Sequence, residues 1–158
     1  MKISLRWLQE YVDVEMPRSE LLNRLTMIGL ICEEWTETPD GDTVLDIETY
    51  ANRPDTLGHL GIAREVSTMT GFPLKERVHP VVELPAETSE LVEVEVLDED
   101  LCPRYTGFVV KGVTVGPSPD SLRKKIEAMG AKPINNIVDA SNIVLFATGH
   151  PVHMFDLN

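Results

Sequence analysis

Pro133-Ile134-Asn135-Asn136-Ile137-Val138-Asp139-Ala140-Ser141-Asn142-Ile143-Val144-Leu145-Phe146-Ala147-Thr148-Gly149-His150-Pro151-Val152-His153-Met154-Phe155-Asp156 is the stretch on which the fold of this 158-residue protein turns. Ile134, Ile137, Val138, Ile143, Val144, Leu145 and Phe146 give it an apolar body. Asn135, Asn136, Asp139, Ser141 and Asn142 interrupt that body where an ordinary core segment places Leu or Ala. Gly149 is a helix stop, and Pro151 keeps the helix from simply resuming. His150 and His153 follow the break. A helix that carries hydroxyl and amide groups into an apolar setting, followed by a His-bearing turn, predicts a small polar pocket.

Upstream of this stretch, Pro117-Ser118-Pro119-Asp120 opens a helix through Leu122, Ile126 and Met129, which Gly130 closes. Its charge pairs read as a solvated face. Arg104 to Val115, aromatic and β-branched, reads as a strand in which Gly107 and Gly112 mark bulges or close approaches. Val92, Val94 and Val96 alternate with Glu93 and Glu95 and predict a half-buried strand. Glu76 to Glu90, rich in Pro, Glu and Val, is the expected connector.

Asn52-Arg53-Pro54-Asp55 predicts a rigid turn, because Pro54 fixes its own backbone and restricts Arg53. Asp55 or Thr56 then caps a helix to about Thr70, ended by Gly71. Capping and tying down of backbone account for the residue types Asn52, Arg53 and Asp55, and His59 reads as a packed or surface residue. The competing reading makes these four residues contacts to a partner. Nearer the start, Ser4 caps a helix with Leu5, Leu8 and Val12 on one face, Trp7 and Tyr11 alongside. Pro17 begins a second helix with Leu21, Leu22, Leu25 and Ile28 facing inward. Strands from Ile31 to Glu37 and from Thr43 to Glu48 flank the turn Pro39-Asp40-Gly41-Asp42 as a hairpin, with Leu45 and Ile47 on one face.

Fourteen basic against 26 acidic residues give a net charge of −12. Such a surface repels phosphate backbones, and no basic stripe with interleaved aromatics offsets it. No apolar run approaches the roughly 20 residues of a membrane span, and no secretory signal is expected. Cys32 and Cys102 stand far apart and read as free thiols in a reducing cytosol, with a disulfide as the alternative. His150 and His153 have no nearby Cys or further His to complete a zinc site, so no metal is expected.

Three segments resemble the bacterial phenylalanyl-tRNA synthetase beta chain, in that family's order. They are Met1 to Val12, Asn52-Arg53-Pro54-Asp55-Thr56-Leu57-Gly58-His59-Leu60-Gly61-Ile62-Ala63-Arg64-Glu65, and Pro133 to Asn142 with the Gly-x-Pro-x-His-x-Phe-Asp turn at Gly149 to Asp156. The resemblance implies an α+β fold in two parts. Residues 1–78 form a small helical domain with a β-hairpin, 79–90 a linker, and 91–158 the first, incomplete α/β part of a tRNA-editing domain. The family's oligonucleotide-binding barrel insertion is replaced by the short turn at Pro39 to Asp42, so its RNA-binding role is not carried over.

The family's editing domain hydrolyses the ester of tyrosine wrongly attached to phenylalanine tRNA. That reaction needs a positioned water, donors for the developing oxyanion and groups that recognise the tyrosine hydroxyl. The resemblance places Ser141 where the family commonly has Thr, Asn142 on the Asn that follows it, and His153 on the histidine of the turn. His150 stands where Gln is common. Each also has a structural reading, Ser141 and Asn142 as satisfied groups fixing a helix. On the partner reading, Asn52, Arg53, Asp55 and His59 become tRNA or interface contacts.

The rest of the editing domain is expected to follow the His turn, so the segment is expected to hold no complete active site and to be inactive alone. ATP and magnesium belong to the full heteromeric enzyme, with its alpha subunit and the remaining beta-chain domains. tRNA(Phe) binding by this acidic segment alone is expected to be weak or absent, and the location cytoplasmic. The alternative is a stand-alone, non-catalytic protein-binding module derived from the beta chain.

Overall fold

The computed structural model describes residues 1–75 and 80–157. Three strands, β1 (Lys2–Ser4), β2 (Cys32–Glu37) and β3 (Thr43–Ile47), form an antiparallel sheet in the order β1-β3-β2. Five α-helices accompany it among the described residues: α1 (Leu5–Leu8), α2 (Arg18–Met27), α3 (His59–Thr70), α4 (Asp120–Ala128) and α5 (Asn136–Thr148). The fold is α+β. The hairpin of β2 and β3 forms as expected, and β1 is an addition too short to show a period in the sequence. Its register places Ile3 opposite Leu45 and Ser4 opposite Val44.

Successive residues of a strand face opposite sides of a sheet. Leu45 and Ile47 therefore enter one cluster with Ile3, Leu8, Leu21, Leu25, Ile62 and Val66, which α2 and α3 close. Val44 faces the other way and meets Trp7, Met129 and Ala147. That second face draws α4 and α5 onto the N-terminal elements. Contacts divide the protein into two compact units, Met1–Arg77 with Val115–Asn158, and Val78–Thr114. Both late helices thus belong to the unit that holds the sheet. The expected boundary at 78–79 lies outside the described residues.

Several local expectations are corrected. α1 stops at Leu8, and turns lead on to Val12, which bridges Leu74. Neither Asp55 nor Thr56 caps α3. Pro54–Thr56 is a 3-10 turn, and the helix begins at His59 after Gly58. Within Val78–Thr114 the strands expected at 92–96 and 104–115 do not form among the described residues. A half-buried strand needs a ladder partner and a cover for its apolar face. Leu97, Phe108 and Val110 stay largely exposed, so alternation alone is insufficient there. Cys32 and Cys102 are free and half-buried.

Candidate functional site

The amide-rich entry to α5 is a set of backbone clamps. Asn135 is the N-cap, its Oδ1 accepting the N–H groups of Ile137 at 3.0 Å and Val138 at 2.9 Å. Asn136 exchanges two bonds with Gly116: its N–H donates to the Gly116 carbonyl at 2.9 Å, and its Oδ1 accepts the Gly116 N–H at 3.0 Å. Asp139 is fully buried and accepts from the Ile134 N–H at 2.9 Å and the Ser118 hydroxyl at 2.5 Å. A buried carboxyl satisfied on both oxygens is a strut, since leaving either unpaired is costly. Of the five polar interruptions, Asn135 thus caps α5 itself, and Asn136 and Asp139 dock residues 116, 118 and 134 onto its first turn.

Ser141 is half-buried in mid-helix, and its hydroxyl donates to the Val138 carbonyl at 2.7 Å. With that proton committed, the oxygen is left to accept hydrogen bonds, a poor arrangement for a nucleophile. Asn142 is also half-buried.

The far end of α5 is held from the N-terminal elements. Gly149 adopts the left-handed conformation at φ 77°, and its N–H reaches the Leu145 carbonyl at 2.8 Å. The Phe146 carbonyl lies in the last turn, where helical partners run out. It accepts the His59 Nδ1–H at 2.8 Å, while His59 Nε2 accepts the Ser4 N–H at 3.1 Å. Because the backbone N–H makes Nε2 an acceptor, the proton is assigned to Nδ1. The buried ring stacks on Trp7 with centroids 4.1 Å apart. Burial pushes the His59 pKa down to about 4, against the hydrogen bond to Phe146, which raises it; the nearby Lys125 charge lowers it further. His59 is neutral at pH 7. Gly58 permits this docking: a Cβ there would fall 2.6 Å from the Gly149 nitrogen and 2.8 Å from the Ala147 oxygen.

The 52–55 turn is tied internally. Arg53 donates to both Asp55 oxygens, with Nη2 at 2.8 Å, and the same nitrogen reaches Glu65 at 2.7 Å. Asn52 is exposed. His150 and His153 lie in the exposed segment after Gly149, the first with its N–H on Thr148 Oγ1 at 3.2 Å, the second with its ring 6.4 Å from that of Phe155. Among the described residues, no hydrogen bond joins Ser141 or Asn142 to either histidine. A depression of about 360 Å³ lies instead beside the first turn of α5, lined by Ser118, Arg123, Glu127, Lys132, Pro133 and Asp139 among others. None of the four editing-pocket candidates, Ser141, Asn142, His150 and His153, lines it. No group of three metal-ligating side chains is gathered among the described residues, and no helix there is long and apolar enough to cross a membrane.

Two structural roles escaped sequence reading. Asp42, taken only as part of a turn, is buried and accepts from the Arg6 N–H at 3.0 Å and the Ser4 hydroxyl at 2.5 Å. Ser4 Oγ in turn accepts the Trp7 N–H at 3.0 Å, so the hairpin turn helps to cap α1. The second aspartate of Asp-Gly-Asp, one more than the turn requires, was the available signal. The charged face of α4 is also more than solvated: Lys125 Nζ bonds Glu10 at 2.7 Å and lies 4.8 Å from the Trp7 ring centroid.

The geometry alone assigns no class; sequence similarity does, and the class is that of aminoacyl-tRNA ligase subunits. The B3/4 domain matches residues 101–158, which include all of α5 and the turn after it. Over 157 residues, 99% of its length, the protein is 41% identical to the phenylalanine--tRNA ligase beta subunit of Rhodopirellula baltica. Beta subunits of the same name from Chlorobium luteolum and Chlorobaculum tepidum are 48% and 44% identical over 75% and 86% of its length. The chain belongs to the phenylalanine--tRNA ligase beta-subunit family. Its matches span 23%, 14% and 16% of the length of these three relatives.

Proposed function

We propose that this protein works as part of a phenylalanine–tRNA ligase beta subunit and contributes to hydrolytic editing of tyrosyl-tRNA(Phe). The observation that carries the reading is the similarity over 99% of its length, reinforced by the B3/4 match across α5 and its turn. In this reading Ser141 accepts a hydrogen bond, from the tyrosine hydroxyl or from a bound water, and Asn142 helps to orient it. His153, with His150 beside it, supplies a donor or proton acceptor at the ester. The hydrolytic pocket is completed by further beta-chain domains, and this segment by itself has no complete active site. ATP and magnesium act in the alpha subunit, and the acidic surface leaves most tRNA(Phe) contact to other parts of the assembly.

One observation favours a second reading, a non-catalytic module that binds a protein. Leu97, Phe108 and Val82 are 85–89% exposed within Val78–Thr114, apolar surface of a kind that a partner covers. One experiment separates the readings: native mass measurement of the protein captured from its own cells, followed by tyrosyl-tRNA(Phe) hydrolysis. An alpha-type subunit in the complex, with hydrolysis slowed by His153→Ala, supports the editing reading. A 17.6 kDa species alone, or hydrolysis indifferent to His153, refutes it.

A further inference from the structure

The geometry points to His59 and Gly58 as a positioning device for the turn that carries His150 and His153. This rests on the editing reading for its consequence, though not for its structural test. His59 bonds both the start of the N-terminal elements, at the Ser4 N–H, and the closing turn of α5, at the Phe146 carbonyl. Phe146 stands three residues before Gly149, so its carbonyl is one of those a helix end leaves without an internal partner. The imidazole therefore caps the end of α5 from another element. Gly58, directly before it, allows the backbone of Ala147 to Gly149 to lie against the 58–59 backbone. With this contact at one end and the Asn136–Gly116 and Asp139–Ser118 clamps at the other, α5 has no freedom to slide. The direction in which the backbone leaves Gly149 is then set by residues 58 and 59, although His59 is 87 positions from Phe146 in sequence.

His59 does not touch substrate in this scheme. It acts through the helix end. The resemblance-bearing segment from Asn52 to Glu65 thereby gains a purpose other than RNA contact, namely to hold the end of α5 in register with the N-terminal core.

The test uses the full-length protein with Gly58→Ala, His59→Leu and His59→Asn. Gly58→Ala inserts a methyl group against the α5 terminus and leaves the Leu21–Leu25–Ile62 core untouched. His59→Leu removes both ring hydrogen bonds, whereas His59→Asn restores a donor at the place of Nδ1. Amide exchange should show protection at Gly149 falling about tenfold or more in the first two variants, with Leu25 and Ile62 unchanged, and recovery in His59→Asn. In the assembled enzyme, kcat for tyrosyl-tRNA hydrolysis should fall by up to about 100-fold in Gly58→Ala with KM nearly constant. Unchanged exchange at Gly149 in both Gly58→Ala and His59→Leu overturns the proposal. If the unmodified assembly fails to hydrolyse tyrosyl-tRNA, the editing reading falls, and the exchange data alone decide whether the device exists.

Discussion

Acid should loosen this protein through His59 as pH falls from about 6.5 toward 4. In the unfolded state the imidazole takes up a proton near its ordinary value of 6.5, and in the folded state only near pH 4. Between those limits the unfolded state binds more protons, so stability is fully present above about pH 6.5 and is lost as pH falls toward 4. At 1.36 kcal/mol for each tenfold change in proton affinity, the loss at pH 4 is about 3 kcal/mol. The main cause is burial of the ring away from water beside Trp7, where a proton on Nε2 would also face the Ser4 N–H with donor against donor.

The assay is urea unfolding at intervals from pH 7 to pH 4, on the unmodified protein and His59→Phe. The variant keeps an aromatic ring against Trp7 but leaves the Ser4 N–H and the Phe146 carbonyl unpaired, at about 1–3 kcal/mol each. It should be the less stable protein at pH 7. Because it has no imidazole to protonate, its deficit should shrink by about 3 kcal/mol on reaching pH 4. Carboxylate titrations are common to both proteins and cancel in the difference. A deficit that stays constant within about 0.5 kcal/mol across that range, or a His59→Phe protein as stable as the original at pH 7, would refute the reasoning.

Asp139→Ala removes the acceptor of both the Ser118 hydroxyl and the Ile134 N–H, and should lower stability by about 2–4 kcal/mol in urea unfolding; a change under about 0.5 kcal/mol would mean the clamp is idle. Gly61→Ala brings a Cβ within 1.7 Å of the Asp55 carbonyl oxygen, which is backbone and has little room to yield. It should cost about 3 kcal/mol or more, the upper end for overpacking, read as a fall in thermal midpoint. An unaltered midpoint would show that α3 and the 54–56 turn separate freely.

Much of the local structure could be read from the sequence because it depends on near neighbours. Gly71 and Gly149 end helices, Ser4 caps one, and Leu45 with Ile47 fixes one face of a strand. Family membership was legible for the same reason, since short motifs keep their order whatever they contact. The strands expected at 92–96 and 104–115 failed because a ladder needs a partner, and periodicity cannot say whether one is present. The roles of Ser141, Asn142, His150 and His153 rest on resemblance alone, and no bond among the described residues draws them into one site.

Sequence by itself determined which segments are helical, where α3, α4 and α5 stop, and that the beta-subunit motifs are present in order. Only the tertiary structure decided what the polar residues in those motifs do. Asp42, His59, Asn136 and Asp139 each bond groups between 5 and 87 positions distant. A hydrogen bond of that reach leaves no period or spacing in the sequence. It exists because Val44 and Trp7 need cover on the second face of the sheet, and the helices that supply it bring their unpaired carbonyls and amides with them.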